Sequence, residues 1–190
     1  NYEITEPDRN RMRDLGIYHF DEYGIKYFAE LAKHLGACAR YQLLGTLFAG
    51  KKIGTMENRI PAIEGQMGGH TYYSFSIEPE KLLKLAYVLH RNEANGDMMP
   101  TYQRIIKKQR LKEIRKFIDN KGFFPNSLII SIDTNGKKLR FDLATPQIEN
   151  AISRIGILYL PQLYRSVYII DGQHRLYGYA DSAYAGKDTI

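Results

Sequence analysis

Five consecutive residues, Asp171, Gly172, Gln173, His174 and Arg175, carry the densest chemistry in the sequence. They follow an apolar run at residues 164–170 that reads as a buried strand, and they lead into a helical pattern from residue 176. A strand that turns sharply into a helix aligns the first backbone N–H groups, and the helix dipole adds partial positive charge there. Gly172 permits a positive φ or close approach of a ligand, and Arg175 offers a two-pronged fork matched to a phosphate. A cation at such a helix start is unfavourable unless an anion or an acid accompanies it. Two readings follow. Either Asp171 caps the helix, or an anion occupies the turn, with phosphate the best-matched guest.

A second feature is a concentration of charge. The 190 residues carry a net charge of +6. Residues 101–121 hold eight basic side chains against two acidic ones, which equals that whole excess. The first 30 residues run the other way, with seven acids against four bases. Within the basic stretch Arg104, Lys108, Lys112 and Arg115 fall at helical spacing on one stripe. Such a stripe is either a solvated helix face or a contact for nucleotide phosphates or a nucleic-acid backbone.

Other patterns exclude chemistry. Gly45 to Lys52 nearly spells a P-loop, but Lys52 stands where Ser or Thr would hold Mg²⁺, and Leu47 and Phe48 are too apolar for a phosphate cradle. His19, His34, His70 and His90 lack metal-ligand spacing. The single cysteine, Cys38, rules out disulfides and cysteine-based zinc sites and reads as a small buried hydrophobe. Asp133, Asp142 and Glu149 form no convincing nuclease cluster in the sequence. Fifteen tyrosines and no tryptophan assign most aromatic packing to tyrosine, including Tyr72, Tyr73, Tyr164 and Tyr168. With 44% hydrophobic residues the chain can build a packed core, and no apolar run is long enough to span a membrane. The acidic, polar start does not resemble a signal peptide, and the single cysteine makes a reducing cytoplasm the expected location. A first residue other than Met predicts a fragment of a longer protein.

These residues need elements to position them. Residues 1–40 read as a linker and helical segment, with Asp21 as N-cap and Gly36 as an interruption, and residues 41–190 as the main domain, truncated at its C-terminus. Residues 41–48 continue as a short apolar segment that closes at Gly50. Strands are expected at 60–63 and 71–77 with a turn at 65–69, then a helix over 78–91 and a loop at 92–100. The basic helix covers 102–120, with Ile106, Leu111, Ile114, Phe117 and Ile118 on its apolar side. A strand at 128–132 is expected to form a hairpin with 139–143 through Asn135-Gly136, followed by a short helix after Pro146.

The string Asp171-Gly172-Gln173-His174-Arg175 matches the signature of DGQHR-domain proteins, a group that includes DndB-type proteins of DNA phosphorothioation systems. Tyr102-Gln103-Arg104 followed by Arg110, and Phe124-Pro125-Asn126-Ser127 followed by an apolar strand, resemble the group's earlier blocks in the same order. The resemblance covers roughly residues 41–185. It implies an α+β fold of ParB/sulfiredoxin-like type, a small mixed sheet flanked by helices, in which the basic helix precedes a strand packed beside the signature strand. In sulfiredoxins the corresponding turn carries Gly-Cys-His-Arg, whereas this chain has Gln173 at the nucleophile's place. An amide cannot attack as a thiolate does, so phosphate binding is kept and redox repair is not.

By that resemblance ATP or another nucleoside triphosphate, with Mg²⁺ as a candidate companion, would sit at the turn. Gly172 and the following amides would approach the phosphates, with His174 and Arg175 as donors and Asp171 as turn cap or Mg²⁺-side acid. Arg104 and Arg110 would be secondary cations, and Tyr102 or Gln103 would contact base or sugar. Asn126 and Ser127 are either rim residues of the pocket or turn formers after Pro125. The implied function is a nucleotide-binding component of a bacterial DNA-modification or defence system, with ATP hydrolysis left open and other proteins of the locus as partners. The rival is a DNA-binding transcriptional regulator that uses Lys108, Lys112 and Arg115 on phosphates, and a weaker one is a ParB-like nuclease.

Overall fold

In the computed structural model, which describes residues 4–87, 107–134 and 136–190, helix boundaries follow local signals. Helix α1 (Glu6–Asp14) is closed by a capping box between Thr5 and Asp8 and buries none of its residues. Helix α2 (Glu22–Leu35) starts at Asp21, whose carboxylate accepts from Gly24 N at 2.7 Å, and ends at Gly36 with φ 59°. A 3-10 turn (Gly36–Cys38) then leads into α3 (Ala39–Leu47). The near P-loop therefore begins in the last residues of α3 and runs on into the turn beyond it, with Gly45 packed against Tyr87.

Two sheets carry the rest. The first has strand order β2-β1-β6-β5 and is antiparallel throughout: β1 (Arg59–Met67), β2 (His70–Phe75), β5 (Phe141–Leu143) and β6 (Arg154–Tyr159). The β1–β2 turn sits at Gly68 and Gly69, both at positive φ, later than the 65–69 turn expected. Ile60, Ala62 and Leu158 alternate onto the buried face, while Ile63 and Ile155 pair across strands on the exposed one. The second sheet is mixed, with order β3-β7-β4: β3 (Ala86–Tyr87) runs parallel to β7 (Val167–Asp171), and β4 (Ile129–Ile132) antiparallel to it. Helix α4 (Pro79–Leu85), the basic helix α5 (Lys108–Asp119), the short α6 (Gln173–Gly178) and a 3-10 turn (Tyr179–Asp181) complete the described elements. The fold is mixed α+β, as expected, and α5 does precede a strand that pairs with the signature strand.

Three expectations are corrected. The helix foreseen over 78–91 ends at Leu85, because Ala86 turns extended and, with Tyr87, pairs with Val167 and Tyr168; the remainder lies outside the described residues. The hairpin at Asn135-Gly136 does not form: β4 pairs with β7 and β5 with β6, so the two strands belong to different sheets. The segment after Pro146 holds no helix, and residues 154–159 form β6, whose Ile155, Ile157 and Tyr159 suit a pleated surface better than a helix. The loop at 92–100, Ile106 and Asn135 fall outside the described residues.

One core joins the layers. Leu82, Leu83 and Leu85 of α4, Leu111 of α5, Leu158 of β6, Val167 and Ile169 of β7 and Leu176 of α6 belong to a single buried cluster, together with Leu31, Leu35 and Cys38. Tyr177 is fully buried and its hydroxyl accepts from Gln42 Nε2. Cys38 lies beneath it, Sγ donating to the Tyr177 carbonyl at 3.3 Å, and burial pushes its thiol above the usual value of 9.0. Alkylation should therefore report unfolding. In native buffer at pH 8 iodoacetamide is expected to leave Cys38 unmodified, and in denaturant to modify it fully; rapid native labelling, read by mass spectrometry, would contradict this burial.

Candidate nucleotide groove and the arginine-braced loop

The strand-to-helix turn is built as the sequence suggests, with one difference in its cap. Gly172 is the N-cap of α6 at φ 91°, and no side chain caps the helix, so Asp171 ends β7 rather than capping. A Cβ on residue 172 would lie 2.1 Å from Leu128 Cδ2 and 3.0 Å from Arg175 Nη2, so both the dihedral and the space require glycine.

The turn forms one wall of an open groove of about 930 Å³ whose other wall is α5. Lys107 at the N-cap and Arg110, Glu113 and Ile114 of α5 line it on one side, and Asp171, Gly172, Gln173, His174 and Arg175 from the turn on the other. Of the residues expected at the nucleotide, the structure thus unites Arg110 with the whole turn. Gln173 is nearly buried, at 8% exposure, so its side chain adds little to the groove surface. Lys107 was not singled out from the sequence; it is the extended N-cap residue of α5, so the helix expected over 102–120 starts only at Lys108. Tyr102, Gln103 and Arg104 lie outside the described residues.

Arg175 has a task that its sequence position does not reveal. Its Nη1 donates to the Asn126 carbonyl, and its Nη2 to the Ser127 carbonyl at 3.0 Å and to Asp171 Oδ2 at 3.3 Å. The guanidinium braces the loop that leads into β4, and only 18% of its side chain is exposed. Asn126 and Ser127 accordingly contribute backbone acceptors here, and they line a different cavity on the far side of the loop. Arg110 and Lys107 are left as the principal cations that α5 turns toward the groove.

The two faces of α5 differ. Lys108 and Lys112 do not line the groove, and Lys108 lies against Gly36 at the end of α2. Arg115 donates to Asp181 Oδ2 at 2.8 Å, and Arg40 of α3 reaches the same carboxylate at 3.2 Å, a convergence across the chain that no local pattern announces. The acids weighed for a nuclease go elsewhere. Asp142 accepts from Arg140 and Tyr159, and the Arg140 guanidinium first, then the tyrosine, holds its carboxyl below the usual range. Among the described residues no three His, Cys, Asp or Glu side chains gather to hold a metal ion, and no helix is long and apolar enough to cross a membrane.

The groove thus sets Lys107 and Arg110 opposite the glycine turn and His174. No thiolate faces it, since Cys38 is wholly buried. No curated protein and no solved structure matches the chain. A family model described as DndB, DNA-sulfur modification-associated, does match, over residues 60–182. That span runs from β1 through the braced loop, β7 and the turn into α6, and takes in α5 as well; with most of its length covered, the chain belongs to the DndB family of DNA-sulfur modification-associated proteins.

Proposed function

We propose that the chain is a nucleoside-triphosphate-binding component of a DNA-sulfur modification system, holding ATP or a related nucleotide in the groove between α5 and the β7–α6 turn. One observation carries the reading: Lys107 and Arg110 face the glycine turn and His174 across a cavity large enough for a nucleotide. Mg²⁺ would arrive with the phosphates, with Asp171 and Glu113 the carboxylates on hand. The pairing of β4 with β7 beside this turn supports a ParB/sulfiredoxin-like relationship for the three-stranded sheet. Other products of the same modification locus are the natural protein partners.

The test is calorimetric titration of ATP and CTP, with Mg²⁺, into the wild type and variants. Arg110→Ala is expected to weaken binding at least tenfold, since a charge-assisted phosphate contact contributes about 1.5–3 kcal/mol. Lys112→Ala, on the other face, should bind as the wild type does. Equal affinity in Arg110→Ala, or no heat with any nucleotide, removes the reading. Release of inorganic phosphate in the same mixture decides whether bound nucleotide is hydrolysed.

A second reading, duplex DNA binding by a regulator, is favoured by the separate exposed face that carries Lys108 and Lys112. It requires salt-dependent duplex affinity that charge reversal of both lysines abolishes and Arg110→Ala leaves in place.

A further inference from the structure

On the far side of the braced loop lies a second cavity, of about 750 Å³. Phe123 and Tyr184 line it, and neither ring has an aromatic partner among the described residues. Phe123 is 78% exposed, whereas its neighbour Phe124 packs at a tilt against Phe117, 4.8 Å between centroids. Lys121 and Lys187 also line the cavity, each without an acidic partner among the described residues. Asp188 is engaged by the Tyr179 hydroxyl at 3.2 Å.

The walls are held in place. Ser182 Oγ donates to Asp119 at 2.6 Å, and Ile190 and Ile77 exchange both backbone hydrogen bonds. The α5 end is a Schellman turn, with Lys121 N bonded to the Ile118 carbonyl and Gly122 N to that of Phe117. Its left-handed position, where glycine is the usual residue, is Lys121 at φ 60°. A side chain kept at a position that glycine would relax is explained if its ammonium is needed there.

We propose that this cavity takes one unstacked base of a DNA strand, the ring resting on Phe123 and Tyr184 and the flanking phosphates on Lys121 and Lys187. Two unpartnered rings beside two unpartnered cations, contributed by separate segments, suit a planar base carrying a phosphate on either side. The association of the family with DNA sulfur modification names the strand as DNA. The two cavities share Phe124 and Arg175 in their walls, but Lys121, Phe123, Tyr184 and Lys187 line this one and not the groove in which we place the nucleoside triphosphate.

The experiment titrates the protein into a single-stranded 12-mer with a central 2-aminopurine, reading base fluorescence and anisotropy. Binding should change the 2-aminopurine emission, and Phe123→Ala, an exposed position that leaves the fold intact, should weaken binding about tenfold. ATP affinity in that variant should be unchanged, which separates this site from the groove. Lys121→Gly should raise the thermal midpoint by a few degrees while weakening the oligonucleotide. Unaltered emission on binding, or wild-type affinity in Phe123→Ala and Lys121→Gly, overturns the proposal. So does 2-aminopurine nucleoside triphosphate alone binding with the same dependence on Phe123, which would make a free nucleotide the occupant.

Discussion

Gly172→Ala should lower stability by about 2–4 kcal/mol and abolish the nucleotide binding proposed for the groove. About 1–2 kcal/mol is expected from forcing a side chain to φ 91°. The remainder comes from overpacking, because the new methyl would approach Leu128 Cδ2 to 2.1 Å. Moving Leu128 also shifts the loop whose Asn126 and Ser127 carbonyls accept from Arg175, so the groove and its brace are disturbed together. Urea denaturation of the two proteins measures the cost, and a lower midpoint with an unchanged slope identifies a change in stability. Gly50→Ala is the informative comparison. Gly50 also has a positive φ, 72°, but nothing lies within 4 Å of its would-be Cβ, so it should show the dihedral cost alone. If the two variants lose equal stability, the close packing of the turn against Leu128 has no energetic weight.

Arg154→Met is expected to cost about 2–4 kcal/mol, for a different reason. Glu64 points to the buried face of β1 and is only 4% exposed. Arg154, its cross-strand partner on β6, donates through Nε at 2.7 Å and through Nη2 to the same Oε1, and the Tyr73 hydroxyl donates to Oε2 at 3.2 Å. Removing the arginine leaves a buried carboxylate with one neutral donor, and the penalty is that of an uncompensated charge. The arginine is itself about half exposed, which places the estimate toward the lower part of the range for fully buried pairs. Adding Glu64→Gln to Arg154→Met should recover much of the loss. A double mutant no more stable than Arg154→Met alone would mean that the pair is not the source of the cost.

These two results test features of different legibility. The turn could be read directly: an apolar strand, a glycine and a basic helix start are adjacent in sequence, and adjacency is what local dihedral and capping rules describe. The cap of α2 at Asp21 and the amphipathic α5, with Leu111 and Ile118 buried, were legible for the same reason. The pair of Glu64 and Arg154 was not. Ninety residues separate them, and only the antiparallel register of β1 with β6 brings them opposite one another. The false hairpin shows the same limit from the other direction. Asn135-Gly136 favours a tight turn whatever the flanking strands pair with, and those strands found partners in different sheets.

The division runs through the site as well. Residue types alone made Asp171 to Arg175 an anion-binding candidate and marked α5 as the cationic element, because charge and backbone freedom are properties of single residues and their near neighbours. Tertiary structure decided which cations face the turn, giving Lys107 and Arg110 to the groove and turning Lys108 and Lys112 elsewhere. It also assigned the Arg175 fork to the carbonyls of Asn126 and Ser127, which lie 49 and 48 residues upstream. Hydrogen bonds between distant segments depend on how sheets and helices pack, and that packing follows from burying one shared core, which no single stretch of sequence contains.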